Sequence, residues 1–477
     1  MTDTDLLFTP AAKAAALIRS RKLSPVEYVD AVLKAIERAN PKLNCFREVT
    51  AERARADARR AEEAVSRGEK LGPLHGVPVS IKDLLDLEGV PTRHGSAIFA
   101  DNPPAASDDI TVARLKAAGA IIVGKANSPE FGVKGLTDGP SFGITRNPWN
   151  LDRTPGGSSG GGASAVAAGL GPLSLATDGA GSTRGPASCS GLVGLKATLG
   201  IVPYDTSRDT FGNNIFAGPL ARTVTDAAVM HGVLAGPSSK DPWSLGATAQ
   251  PMSPKLAGED LSGVRIGYIE LMANPRLAAD VRSNTLQALD AWRDMGAEVE
   301  QVTDKIDWIE YEGRVLYQAG FAVTCAQYLP KWQNQMDPVT LAFMQRGEKF
   351  TLADFRNAQF ARTVLFRKIQ SLFERYDFLV SPTNSRTALE VGHDAANDEV
   401  VVDGVKCGIT RQGWTSYQYP FNLTGHPAMA VPSGFGTDGL PTSVQIIGKW
   451  ASETDVLRLG ALLEQARPWA QHRPPAS

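Results

Sequence analysis

Cysteine is scarce in this chain of 477 residues: four occur, Cys45, Cys189, Cys325 and Cys407, and no two form a CxxC pair. Such scatter argues against a disulfide framework and a structural zinc site, and it suits a reducing cytoplasm. A surplus of one charge is also missing, since 49 Lys and Arg are mixed with 51 Asp and Glu for a net charge of -2. No field is built for nucleic acid or an anionic membrane surface. No stretch approaches about 18 consecutive apolar residues, so no membrane span is expected. The first residues, MTDTDLLFTP, are acidic and lack an apolar core behind positive charge, so no signal peptide is expected. The six histidines, at 75, 94, 231, 393, 426 and 472, show no HExxH or HxH spacing, so no metal site is expected. Repeats at solenoid periods and heptads are absent too. A small neutral molecule is the partner that remains.

What the chain does have is an alternation of helix and strand patterns. Thr9–Ala39 reads as helices, with Ser24 before Pro25 and Glu27 as a start signal, and residues 50–67 read as a charged Ala-rich helix ending near Gly68. Together, residues 1–70 form a helical lead-in on the surface of a main body spanning 71–477. Strand candidates follow at Gly76–Asp83, AIIVG before Lys125, Leu173–Ala176, Val264–Ile269, Ala297–Val302, Phe378–Ser381, Ala428–Val431 and Ser443–Ile447. Helices are expected between several of them, at Thr223–Leu234, Pro275–Met295 with Asn274 as cap, Leu352–Tyr376 and Glu453–Ala466. Pro237–Gly263 is linker-like and is read as the start of an insertion reaching to about 345. The class is α/β.

Two glycine-rich serine clusters stand out in Thr154–Lys196: GGSSGGG around Ser158 and Ser159, and DGAGS ending at Ser182. Glycine at this density marks backbone that must take positive φ or let a ligand approach, although a plain loop would read the same way. GGSSG matches a nucleophile elbow in form, but RNPWNLDRTP before it cannot be the strand an elbow requires. GAIIVGKA ends in Ala126 where a phosphate-binding loop needs Ser or Thr, and its AIIV reads as buried strand. His426, beside Pro427, reads as a loop or packing residue rather than a base. A serine without histidine needs another base, and a lysine held neutral by burial can serve. Lys82, at the end of an apolar strand, is a candidate, with a surface lysine at a strand end as the alternative.

The segments IKD at 81–83, GGSSGG at 156–161, TDGAGSTR at 177–184 and GLVGLKAT at 191–198 resemble the amidase signature family. GKANSPEFG, FGITRNPWN, GPLARTVTDAA, NLTGHPAMAVPSGF and LPTSVQIIG extend the resemblance from about residue 70 to the end. It implies one large mixed, twisted sheet covered by helices on both faces, and hydrolysis of carbon–nitrogen bonds through an acyl-enzyme without metal or organic cofactor. It also implies roles: Ser182 as nucleophile, Ser158 as bridging serine on a cis peptide bond, and Lys82 as general base. The backbone N–H groups of Gly179, Ala180, Gly181 and Ser182 would form the oxyanion hole. Asp178 and Arg184 would brace the loop and Ser159 would bond nearby backbone. Ala180 departs from the Gly-Gly that many members carry before the nucleophile.

Pocket walls are expected from Gly135–Phe142, Tyr204–Phe216, Ile309–Met344 and Cys407–Tyr419. Their aromatic residues, Phe211, Phe216, Tyr311, Tyr317, Phe321, Tyr328, Trp332, Trp414 and Tyr417, suit an apolar or aromatic amide, anilide, carbamate (urethane) or ester, unless they are core. A homodimer is compatible with this reading. The alternative within the same fold is the A-type component of a glutamyl-tRNA amidotransferase, which releases ammonia from glutamine together with partner subunits.

Overall fold

The computed structural model describes residues 3–253 and 260–476, so residues 254–259 of the linker-like stretch lie outside the described residues. Among the described residues, 11 strands pair into one sheet. In chain order they are β1 (Phe46–Val49), β2 (Pro78–Lys82), β3 (Ile121–Ala126), β4 (Leu173–Asp178), β5 (Val193–Lys196) and β6 (Phe216–Ala221). They continue with β7 (Arg265–Tyr268), β8 (Glu298–Gln301), β9 (Phe378–Pro382), β10 (Ala428–Phe435) and β11 (Pro441–Gly448). Across the sheet the order is β1-β3-β2-β4-β6-β5-β10-β11-β9-β7-β8. Parallel pairs lie toward the two sides, β3·β2·β4 on one and β9·β7·β8 on the other. The strands between β4 and β9 pair antiparallel, and β1 closes its edge antiparallel to β3.

Both faces of this sheet are covered, and the alternation of side chains shows which residues go where. Ile122 and Ile446 point into a core with the helices Val224–Leu234, Ala279–Asp294 and Glu453–Ala466. Their neighbours Ile121, Val123 and Ile447 turn the other way, into clusters with the N-terminal helices or with Leu365, Ile369 and Phe421. Successive residues of a strand face opposite sides, so strands buried on both faces read as continuous apolar runs. Each fully buried Val, Leu or Ile contributes about 1.5–3 kcal/mol relative to exposure. Against that background four charged residues in buried strands stand out, Asp178 on β4 and Lys196 on β5 among them. Lys82 on β2 and Lys125 on β3 are at most 2% exposed.

Every expected strand is present with its ends shifted by a few residues. Three further strands, β1, β5 and β6, were not read from the sequence: they are short or interrupted by glycine and proline, which masks the pattern. β1 also means that the N-terminal lead-in adds a strand to the sheet as well as helices to its surface. The helix expected from Pro275 begins a turn later, at Ala279. Asn274 does not cap it, because its amide closes a local turn onto Leu271, while Asp403 accepts from the Ala279 N–H at 3.0 Å. Ser24 does cap its helix, accepting from the N–H groups of Val26 and Glu27. The stretch read as an insertion supplies the outermost two strands on one side, β7 and the edge strand β8, and the helices Glu310–Cys325 and Pro338–Gly347.

Candidate active site

β2 and β4 run parallel, with Ile81 opposite Leu175, so the end of β2 delivers Lys82 beside Thr177 near the end of β4. The Lys82 ammonium nitrogen lies 2.7 Å from Ser158 Oγ, 2.9 Å from Thr177 Oγ1 and 3.3 Å from the Thr177 carbonyl. Burial pulls its pKa down from the ordinary lysine value to about 7, against the opposing pull of the Asp178 carboxylate. Its contacts are hydroxyls and a carbonyl, and no carboxylate touches it among the described residues.

Ser158 arrives on the first glycine-rich loop. The Gly157–Ser158 peptide bond is cis. A side chain at Gly157 would press within 2.6 Å of the Gly135–Leu136 backbone, so the loop is packed and glycine is required there. Thr137 braces it by donating to the Gly156 carbonyl at 2.8 Å and accepting from the Gly160 N–H at 3.1 Å. Ser159 donates to the Thr177 carbonyl at 3.1 Å, the backbone bond expected of it. The helix Gly160–Ala167 that follows is buried along its length.

The second loop turns on Asp178. Its carboxylate and the Arg184 guanidinium pair at 2.9 Å with both side chains at most 1% exposed. Although burial alone would raise it, Arg184 and Asn422 hold the Asp178 carboxyl well below its usual range. The same carboxylate accepts from the Gly181 N–H at 2.7 Å and the Thr183 N–H at 3.2 Å. Gly181 therefore differs from the expectation that it shares the oxyanion hole, because its proton already points into a carboxylate. The N–H groups of Gly179, Ala180 and Ser182 make no hydrogen bond among the described residues, and all three residues are partly exposed. Gly181 has φ of +110°, and a Cβ there would fall 1.7 Å from Gln418 Oε1, so the turn admits glycine alone. The Ser182 hydroxyl makes no hydrogen bond among the described residues, and Ser158 Oγ is held by Lys82.

Residues that were assigned no role from the sequence complete the brace. Arg184 donates to the Gln418 carbonyl, Gln445 Oε1 and Asn422 Oδ1, and Asn422 donates to both the carbonyl and the carboxylate of Asp178. Thr177 was also missed, though it touches Lys82. A readable signal existed for Gln445: a polar side chain within the apolar run of β11 needs a buried partner.

Other expectations divide. His426 is a packing residue, stacked on Phe366 and Phe373 and edge-on to Trp450, with burial lowering its pKa to about 3. Trp414 and Tyr417 are core residues, and Phe216 lies on β6 under Lys196. Tyr311 and Phe211 are exposed. Tyr317 stays close to the serine loops, since its hydroxyl donates to the Val133 carbonyl at 3.0 Å and a Cβ on neighbouring Gly132 would lie 3.1 Å from Ser158 Oγ. Tyr328 stacks on Phe131, with Phe99 edge-on to both, and Trp332 and Phe321 pack beside them.

A large mixed sheet covered by helices, with a buried lysine beside the Ser158 loop, is the fold of an amidase, and comparison with known proteins places the chain in that class. The family model Amidase matches residues 27–457, and the chain belongs to that family. It is 35% identical to an acylamidase of Rhodococcus erythropolis over 99% of this chain and 98% of that protein. It is 33% identical to the A-type component of the glutamyl-tRNA(Gln) amidotransferase of Symbiobacterium thermophilum, covering 97% of this chain and 98% of that one. The crystal structure of a bacterial aryl acylamidase of the Amidase signature enzymes superposes with a TM-score of 0.91 at 28% identity, over 97% of each chain. The chain is thus an amidohydrolase acting on carbon–nitrogen amide bonds. No described helix is long and apolar enough to cross a membrane.

Proposed function

We propose that the chain cleaves acyl amides with an apolar or aromatic body, anilides foremost, through an acyl-enzyme on Ser182. The observation that carries this reading is the buried 2.7 Å contact between Lys82 and Ser158, made by a lysine whose pKa lies at about 7. In its neutral form the amine takes the Ser158 proton while Ser158 takes that of Ser182, once a seated substrate closes the gap between the two hydroxyls. Ser182 Oγ then bonds to the scissile carbonyl carbon. The oxygen that becomes negative faces the unpaired N–H groups of Gly179, Ala180 and Ser182. Collapse of the intermediate breaks the C–N bond, and the proton held by Lys82 returns through Ser158 to the leaving amine. Water attacks the acyl-enzyme by the same relay in reverse and regenerates Ser182.

The aromatic group Phe99, Phe131 and Tyr328 adjoins Gly132 and supports an aryl substrate. Aryl and alkyl carbamates and activated esters present the same carbonyl and are the next substrates on this reading. A panel of aliphatic amides, anilides, aryl carbamates and glutamine tests it. Anilides should be turned over, and Ser182→Ala should lower the rate on all of them by about 10⁴-fold or more. Turnover of glutamine alone would favour instead the amidotransferase reading raised by the Symbiobacterium relative.

A further inference from the structure

Arg411 stands apart from the other guanidinium groups of the site region. It rises from the short helix Thr410–Gly413, and its guanidinium lies 5.5 Å from the Tyr317 ring and 5.3 Å from the Tyr419 ring. Its Nη1 is buried and has no hydrogen-bond partner, and no described carboxylate lies within ion-pair distance. The adjacent Thr410 hydroxyl is likewise buried and unpartnered. Arg184 and Arg222 each reach several acceptors, and Arg314, Arg458 and Arg467, which also leave a buried Nε unpaired, each still hold an acceptor at Nη2, whereas Arg411 has none among the described residues. A buried donor left unmade costs free energy, so two adjacent ones call for a ligand.

The place of this pair in the fold says which ligand. Tyr317 touches the Gly132–Val133 backbone next to Ser158. Tyr419 accepts from Asn214, whose neighbour Ile215 lies against Gly179, and Ala180 packs on the cluster that contains Tyr419. Thr410 meets Gly135, which in turn abuts Gly157. Arg411 thus lies on the wall that joins both serine loops, with aromatic faces supporting its cation.

We propose that Arg411, with the Thr410 hydroxyl beside it, is a specificity-determining residue that seats a carboxylate carried by the amide substrate. This replaces a wholly neutral substrate by one with an aromatic or apolar body and one anionic end. A planar guanidinium matches a carboxylate with two parallel bonds, whereas an uncharged alkyl group of the same shape leaves both donors unmade. The proposal rests on the amide-cleaving reading only for turnover; binding stands independently.

The test uses two shape-matched pairs: 4-acetamidobenzoate with 4-isopropylacetanilide, and N-phenylsuccinamate with N-phenyl-4-methylpentanamide. Binding is measured by calorimetry on full-length Ser182→Ala protein, and turnover on the unaltered chain. At least one acid should bind about 10- to 100-fold more tightly than its isostere. Adding Arg411→Gln should erase that preference by weakening the acid alone, and Arg411→Lys should keep part of it. Equal binding of acid and isostere in both pairs, or a preference that survives Arg411→Gln, overturns the proposal. If Arg411→Gln fails to fold, the acid-to-isostere ratios of the parent and of Arg411→Lys decide. Turnover of the neutral amides with no acid preference would sink this proposal and leave the amidase reading standing. Acid-selective binding without turnover of any amide would do the reverse.

Discussion

Lys82 and Lys125 sit on neighbouring strands, one position apart in register, and are equally buried, yet their surroundings differ in kind. Lys125 is 3.4 Å from the Asp83 carboxylate and donates to the Leu85 carbonyl and Thr92 Oγ1. Burial lowers its pKa and Asp83 draws it back up, which makes it half of an internal ion pair. Lys82 has no such partner. Its neighbours are two hydroxyls able to give up or relay a proton, and its pKa falls to about 7. On the proposed reading, burial alone does not make a lysine a base, and hydroxyls in place of a carboxylate are what set Lys82 apart from Lys125.

Replacing each lysine in turn separates the two roles. Lys82→Met should lower anilide turnover by about 10³-fold or more with the fold retained. Lys125→Met should do the opposite, removing about 3–5 kcal/mol of stability by leaving Asp83 buried and unpaired, with turnover per folded molecule changed little. Chemical unfolding beside active-site-normalised rates reads both. If Lys125→Met proved as inactive as Lys82→Met while equally stable, the distinction would collapse.

The pH dependence sharpens the comparison. Only neutral Lys82 accepts a proton, so kcat/KM should climb with pH through a midpoint at about 7. Stability carries the same signature. Between about 7 and the ordinary value of 10.5 the unfolded chain binds more protons at this group than the folded chain, so its contribution rises with pH across that window and is flat below it. Lys82→Met should lose that slope, and its Tm relative to the parent should be highest at or below pH 7 and fall toward pH 10. A Tm difference independent of pH would mean that Lys82 is not depressed.

The smallest effect is expected at Ala180. Its φ is not in the left-handed region, and its N–H is free, so Ala180→Gly should cost less than about 1 kcal/mol and leave turnover within a few-fold. A rate change above about 10-fold would show that the methyl group itself shapes the oxyanion site.

Much of this arrangement could be read before any coordinates. The apolar runs of β2, β3 and β4 announced buried strands, and the glycine clusters announced packed loops at Ser158 and Ser182. What stayed hidden was set by contacts between distant segments. Nothing local in TDGAGS says that Asp178 will take the Gly181 proton, because that follows from Arg184, Asn422 and Gln418 gathering around it from as far as residue 445. The aromatic segments were ambiguous for a similar reason: Trp414 and Tyr417 look no different in sequence from Tyr317, and only packing sends two of them to the core.

The central claim is that Lys82 delivers the proton that lets an amine leave. The most direct measurement is the rate of Lys82→Ala against the parent on an anilide and on the phenyl ester of the same acid. The account predicts a loss of about 10³-fold or more on the anilide and a much smaller loss on the ester, whose phenolate needs no proton to depart. Equal losses on both, or no loss on the anilide, would contradict it.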